Sequence, residues 1–362
     1  LLTMFGIVAQ IWIARRNKWT CLAAVVFTAV LLITYLAVQE NLVPSYRRSF
    51  PVPWRRWIPA LIMAWGVVTT IVAVLLTIRD RIPAFRSERR HFLRMSTAAI
   101  AAVPASVATF GILTRKNFHV HELDCKIPGL PKDLQNLRLA QLSDIHMGLF
   151  FSERDLERVV DTTNELRADI AIVTGDLITA QHDPLDECLR QLSRLKAPAG
   201  IWGCMGNHER FAGVEDEAFV KGAALGIQFL RQRAASLRFG QNTINMVGVD
   251  YETMHQPYLA DIEELVAAGQ FNLLLSHNPD VFPTAASKGF DLVLSGHTHG
   301  GQVNFELFDK NINIADFVTP YTKGLYTEAT SSVYVNSGLG TIGIPIRLGA
   351  PPEITLIRLC AS

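Results

Sequence analysis

The sequence predicts an α/β layered domain joined to an N-terminal region of membrane-spanning helices. Three observations predict it. Charge is split along the chain: residues 1–114 carry 13 Lys/Arg against three acidic side chains, a net +10, whereas the remaining 248 carry 21 basic and 30 acidic ones, a net −9. Long uncharged apolar runs are confined to the first part. In the second, short apolar strands alternate with amphipathic helices. A chain of 362 residues, 49% hydrophobic and 19% charged, is no disordered tail, collagen or small disulfide scaffold. The acidic part lacks the Lys/Arg surface that phosphate backbones need, so no nucleic acid is expected as a partner. Five scattered cysteines without a CxxC read as buried small hydrophobes.

Of the apolar runs, Cys21–Val38 has 18 residues, Ile58–Ile78 has 21 and Ser96–Thr114 has 19. A bilayer core takes about 20 helical residues, so each is long enough to span it. A fourth run, Leu1–Ala14, is shorter; it begins with Leu rather than Met and reads as missing its first turns. Trp54, Trp57 and Trp65 stand near the start of the Ile58–Ile78 run, as interfacial anchors do. The loops orient the set. Nine basic residues (Arg15, Arg16, Lys18, Arg79, Arg81, Arg86, Arg89, Arg90 and Arg94) face four on the other side (Arg47, Arg48, Arg55 and Arg56). Positive charge stays in the cytoplasm, so everything after Thr114 is expected outside. Glu88-Arg89-Arg90-His91-Phe92-Leu93-Arg94 closely resembles a twin-arginine export signal. Ser106-Val107-Ala108 offers a small-residue cleavage site after it. The expected organisation is a transmembrane region over 1–114 and a catalytic domain over 115–362, in a bacterial inner membrane with several spans.

From Leu137 onward, strands are expected at Leu137–Leu142, Ile170–Thr174, Ile201–Met205, Ile244–Val249, Leu273–Leu275, Leu292–Leu294, Val333–Val335 and Ile354–Leu359. Between them Ser152 caps a helix with Leu156, Val159, Val160, Thr163 and Leu166 on one face. Asp183-Pro184 opens a second, and Pro257–Ala268 a third.

Chemistry collects where strands end. Ser143-Asp144-Ile145-His146, Gly175-Asp176, Gly206-Asn207-His208-Glu209, Ser276-His277-Asn278 and Ser295-Gly296-His297-Thr298-His299 each follow an expected strand. Ligands in α/β sheets gather at such carboxyl ends. The D-x-H and H-x-H pairs put alternate side chains on one side of an extended backbone, within reach of one ion. Carboxylate and imidazole donors without a thiolate suit Mn, Fe or Zn better than Mg or Ca.

D-x-H, GD, GNHE, H and GHTH in this order resemble the calcineurin-like metallophosphoesterase family over roughly residues 137–359. The resemblance implies a four-layer α/β/β/α sandwich with a two-metal site. It implies Asp144, His146, Asp176 and His299 on one divalent ion, and Asp176, Asn207, His277 and His297 on the other, with Asp176 bridging. His208 matches the histidine that assists the leaving group or stabilises phosphate charge. Gly175-Asp176-Leu177-Ile178-Thr179 departs from the phosphoprotein-phosphatase branch, lacking its second Asp and Arg. What orients His208 is therefore open, with Glu209 adjacent but free to point elsewhere. GHTHGGQ, Ile344-Pro345-Ile346-Arg347 and Ala350-Pro351-Pro352-Glu353-Ile354 are similar to a bacterial subgroup of membrane-linked or exported phosphoesterases. That subgroup includes a twin-arginine-exported phosphodiesterase and a UDP-2,3-diacylglucosamine pyrophosphatase. Arg347 is a candidate ligand for substrate phosphate, a surface salt-bridge partner being its alternative.

The expectation is a membrane-anchored dimetal hydrolase of phosphate mono- or diesters, acting on a membrane-associated substrate, with lipid-linked phosphate esters among the candidates. Its alternatives are a cytoplasm-facing pyrophosphatase of a UDP-linked lipid and a non-catalytic membrane sensor. Export would involve the twin-arginine machinery.

Overall fold

The computed structural model describes residues 52–81, 102–104, 106–252, 258–307 and 310–362. The runs Leu1–Ala14 and Cys21–Val38, the Arg89-Arg90 pair and His255 lie outside the described residues. The chain divides into two compact units, Leu1–Leu113 with Gly343–Ile346, and Thr114–Ile342 with Arg347–Ser362.

In the first unit Val52–Asp80 forms a helix of 29 residues that contains the whole Ile58–Ile78 run. Its threonine hydroxyls bond back to the main chain one turn earlier: Thr69 to Trp65 O at 2.9 Å, Thr70 to Gly66 O at 2.8 Å and Thr77 to Ala73 O at 2.7 Å. An apolar helix thereby hides its hydroxyls within itself. Ile71, Val74, Leu75 and Ile78 are nevertheless exposed. Among the described residues, no helix is long and apolar enough to cross a membrane.

The second unit holds two six-stranded mixed sheets. One is built from β1 (His119–Ile127), β2 (Arg138–Leu142), β3 (Ile170–Thr174), β4 (Ile201–Cys204), β5 (Ile227–Phe229) and β14 (Glu353–Ala361), in the order β1-β14-β2-β3-β4-β5. The other is built from β6 (Arg233–Phe239), β7 (Asn242–Gly248), β8 (Phe271–Leu275), β9 (Leu292–Ser295), β12 (Gly324–Glu328) and β13 (Ser331–Val335), in the order β12-β13-β9-β8-β7-β6. A hairpin, β10 (Asn304–Leu307) and β11 (Lys310–Asn313), stands apart from both. The central strands β2 to β5, and β7, β8, β9 and β13, run parallel, so their carboxyl ends share an edge.

Period-two alternation distributes each central strand between two cores. In β3, Ile170 and Ile172 enter the core between the sheets, while Ala171 and Val173 face a helix-covered core. In β8 and β9, Leu273, Leu275, Leu292 and Leu294 fill the inter-sheet core, and Leu274 and Val293 meet Phe282 and Ala285 of helix Phe282–Ser287 on the far side. Strands buried on both faces read as unbroken apolar runs, which is why these were visible. Helix Glu153–Glu165 buries Leu156, Val159, Val160 and Thr163; Ser152 caps it, with Asp155 closing a capping box. Phe151 packs into the same core rather than facing outward.

One expectation is corrected. Pro257–Ala268 forms no α-helix over its described residues, only a 3-10 turn at Ile262–Leu265, because Leu259 and Asp261 adopt φ of +56° and +57°. A right-handed helix cannot pass through that conformation. Asp183-Pro184 opens helix Leu185–Leu192 as expected, with Pro184 at its N-cap, and the Asp183 carboxylate accepts from Thr179 N and Ala180 N in the turn before it. Strands β1, β5, β6 and β12, the outer strands of the two sheets, are not among those expected, since strands with polar exposed faces lack the apolar signal.

Candidate metal centre

The five expected turns all leave the shared strand edge, after β2, β3, β4, β8 and β9. Gly175 turns sharply, at φ of +84°, and a Cβ there would sit 2.6 Å from Gly206 N and 2.9 Å from His277 Nδ1. The chemistry-bearing residues are bent as well. Asp144, His146, Asp176, His297 and His299 take φ of +48°, +46°, +55°, +74° and +53°. A left-handed non-glycine residue costs about 1–3 kcal/mol and persists only where its surroundings hold it. Here neighbouring turns do so: Asp144 N bonds to Gly175 O at 3.1 Å, His146 N to Asp176 O at 3.0 Å, and Gly340 N to Asp144 O at 2.7 Å.

The result is a convergence of donors. One ligand atom each from Asp144, His146, Asp176 and His299 lies within 4.8 Å of the others, and all four residues are buried. His146 Nε2 is 3.0 Å from His299 Nε2 and 3.4 Å from Asp176 Oδ2, while His299 Nε2 is 3.3 Å from Asp144 Oδ1. Beside them, Asn207 Oδ1 lies 3.1 Å from His277 Nε2 and 2.8 Å from His297 Nδ1. His277 Nε2 is 3.2 Å from Asp176 Oδ2, so this one oxygen faces both groups.

Burial and neighbouring charge tune the donors. Burial pushes His146 down to about 3 and His297 to about 4, and holds His299 well below the ordinary range, so all three are neutral imidazoles at pH 7. Burial would lower His277 too, but Asp176 and Asp144 override it and raise it to about 10. Burial lifts Asp144 to about 6, against the pull of His277. Burial also works to raise Asp176, but His277, His146 and His208 hold it below the usual carboxylate range. Buried carboxylates among neutral imidazoles, with no thiolate, fit a divalent transition-metal ion.

Around the donors lies a second set of groups that orient them. His277 Nδ1 donates to Thr174 O at 2.6 Å, leaving Nε2 for the site. Ser143 Oγ donates to Asp144 Oδ2 at 2.6 Å, and His297 N to the same carboxylate at 3.0 Å. Glu209 does not orient His208. Its buried carboxylate accepts from Gly206 N at 2.8 Å, Asp176 N at 2.9 Å and Leu177 N at 2.8 Å, tying the GD and GNHE turns together. His208 is half-buried, and its Nδ1 meets Thr179 O at 2.8 Å.

Arg347 sits in neither of its expected places. It is 3% exposed, and its guanidinium lies on main-chain carbonyls. Its guanidinium donates to Gly340 O at 2.6 Å, Ser337 O at 2.8 Å and Ala350 O at 3.1 Å, and one nitrogen lies 3.3 Å from His299 Nδ1. Burial lowers it to about 10, so it stays charged at neutral pH. Tyr251, which drew no attention in the sequence, lies with its ring 5.4 Å from that of His297. His119, His121 and His182 are exposed.

Residues 137–301 match the calcineurin-like phosphoesterase family. A Bacillus subtilis (strain 168) protein named uncharacterized metallophosphoesterase YkuE is 30% identical over 286 residues, which cover 76% of this chain and 98% of that protein. The chain belongs to the calcineurin-like metallophosphoesterase family. It is also 30% identical, over 99% of its own length and 77% of the relative's, to a Bos taurus protein named transmembrane protein with metallophosphoesterase domain. A Campylobacter jejuni protein, uncharacterized metallophosphoesterase Cj0846, is 28% identical over 82% of this chain and 76% of its own. This metallophosphoesterase is accordingly a metal-dependent phosphoric ester hydrolase with a buried Asp/His metal-binding group.

Proposed function

We propose that this metallophosphoesterase is anchored in a membrane and hydrolyses phosphate mono- or diesters of a membrane-associated, lipid-linked substrate with two divalent ions. The observation that carries the reading is the convergence of Asp144, His146, Asp176 and His299 within 4.8 Å, with Asn207, His277 and His297 gathered beside Asp176. Asp144, His146, Asp176 and His299 would hold one ion, and Asp176, Asn207, His277 and His297 the other. Divalent ions held there would supply charge neutralisation for the phosphate oxygens and an acidified water.

The chain's own groups do the rest. Thr174 O and Ser143 keep His277 and Asp144 aimed at the site. His208 delivers a proton to the leaving oxygen, its Nδ1 already engaged by Thr179 O so that Nε2 is the atom offered. Arg347 acts through the turn it holds and through His299 rather than by touching substrate. Tyr251 and Phe211, whose ring is 5.7 Å from that of His208, border the place a substrate would enter.

Several features support the membrane reading. Three uncharged runs precede the domain. Helix Val52–Asp80 exposes apolar side chains, and a relative named as a transmembrane protein aligns over 99% of the chain. The nine-to-four distribution of loop arginines and lysines, with Arg89-Arg90, supports an extracytoplasmic catalytic domain exported by the twin-arginine route. Two assays test the proposal. Protein loaded with Mn should cleave aryl phosphate mono- or diesters; no cleavage despite bound metal would make it a binding protein. In intact spheroplasts, protease should digest the catalytic domain. Survival until lysis would place it in the cytoplasm, with the pyrophosphate of a UDP-linked lipid as substrate.

A further inference from the structure

One half-buried residue, Thr179, faces two rings of the site at once. Its carbonyl oxygen is 2.8 Å from His208 Nδ1, and its hydroxyl is 3.1 Å from His146 Nδ1. A carbonyl can only accept, so His208 must carry its proton on Nδ1 at this contact. A hydroxyl can accept the corresponding proton of His146, whose Nε2 then faces Asp176 Oδ2 and His299 Nε2. Thr179 lies past the end of β3, one residue after Ile178, which forms a parallel bridge with Met147. Asp183 ties it from the other side: the carboxylate, 8% exposed, accepts from Thr179 N at 3.2 Å and Ala180 N at 2.8 Å.

We infer that Thr179 is a positioning residue serving both His146 and His208, and that Asp183 locks it in place. This deepens the function proposed above and rests on its assignment of His208 to the leaving group and His146 to a metal ion. The two roles use different atoms of Thr179, and substitution can separate them. Thr179→Val removes the hydroxyl but keeps the shape and the carbonyl. Thr179→Ser restores the hydroxyl. Asp183→Ala releases the turn and with it the carbonyl.

The experiment uses the full chain in detergent, with Mn binding followed by titration calorimetry and turnover followed on a p-nitrophenyl phosphate ester. Removing the partner of a metal-ligating histidine typically weakens binding about 10–100-fold. Thr179→Val should weaken Mn binding by that order, and Thr179→Ser should bring it back to within about threefold. At saturating Mn, Asp183→Ala should slow turnover at least about tenfold in the native background and leave the residual rate of His208→Ala unchanged. Native-like Mn affinity in Thr179→Val, or no rescue by Thr179→Ser, overturns the His146 role. An equal slowing by Asp183→Ala with and without His208 overturns the His208 role. If the native protein turns over no ester, the proposed function falls and takes the His208 role with it, while the Mn titrations still decide the His146 role.

Discussion

The two sheets of the catalytic unit bring different chemistry to their shared edge. The turns after β2, β3 and β4 supply both carboxylates, Asp144 and Asp176, with His146, Asn207 and His208. The turns after β8 and β9 supply imidazoles alone: His277, His297 and His299. Their supports differ as well. The first group is held by neighbouring turns and by buried acids, Glu209 linking two loops and Asp183 pinning the far part of one of them. In the second, His299 is backed by a buried cation, Arg347, on the carbonyls of the chain that returns toward β14. Neither group closes around an ion by itself, because Asp176 faces histidines of both sheets. The seam between the sheets is where the site exists, so core packing between them is also what sets ligand distances.

Breaking the shared carboxylate should have the largest effect. Asp176→Asn should abolish turnover and lower metal content, as read by hydrolysis assays and elemental analysis; a near-native rate would dissociate the site from the seam. His208→Ala should lower the rate by about 10²- to 10⁴-fold while metal content persists. Loss of metal there would make His208 a structural support of the first sheet's turns instead.

Arg347→Met sharpens the comparison from the second sheet's side. It leaves the carbonyls of Ser337, Gly340 and Ala350 without their donor, at about 1–3 kcal/mol for each buried group left unpaired. A net loss of about 3 kcal/mol would lower Tm by roughly 10 °C in a domain of this size. An unchanged Tm would show that the turn holds without its cation.

The pH dependence of metal uptake probes His277, which both carboxylates reach. Its imidazole is raised to about 10 in the metal-free protein, so near pH 7 it carries a proton that a metal ion must displace. Affinity should therefore rise with pH and flatten above about 10, with proton release measurable by calorimetry in buffers of different ionisation enthalpy. Binding that releases no proton near pH 7 would contradict this. The smallest effect lies away from the seam. Ser152→Ala removes a helix cap from the outer layer and should cost about 1 kcal/mol in denaturant unfolding without altering the rate.

What was legible in the sequence follows the same physics. Strand-end turns are local, so Asp144, His146, Asp176, Asn207, His277, His297 and His299 could be read as neighbours from five short motifs. The doubly buried strands β3, β8 and β9 announced themselves as apolar runs. Groups that act through the main chain were not legible. Thr179 O carries no residue-specific signature, and nothing in Gly175-Asp176-Leu177-Ile178-Thr179 shows that its carbonyl will meet a ring 29 positions later. Arg347 looked like a surface or substrate arginine because its partners are carbonyls, which composition does not reveal. The left-handed backbone of the ligand residues was equally hidden, since it is imposed by neighbouring turns rather than by a glycine at each position. Helix Pro257–Ala268 failed for the converse reason: its apolar spacing is helical, but Leu259 and Asp261 are turned out of the helix.

The most direct test of a site shared across the seam is electron paramagnetic resonance of the Mn-loaded protein, with the ions counted by elemental analysis. The account predicts two ions per chain with a spin-coupled spectrum, and loss of the coupling in Asp176→Asn. A single uncoupled ion in the native protein, or an unaltered coupled spectrum in Asp176→Asn, would contradict it.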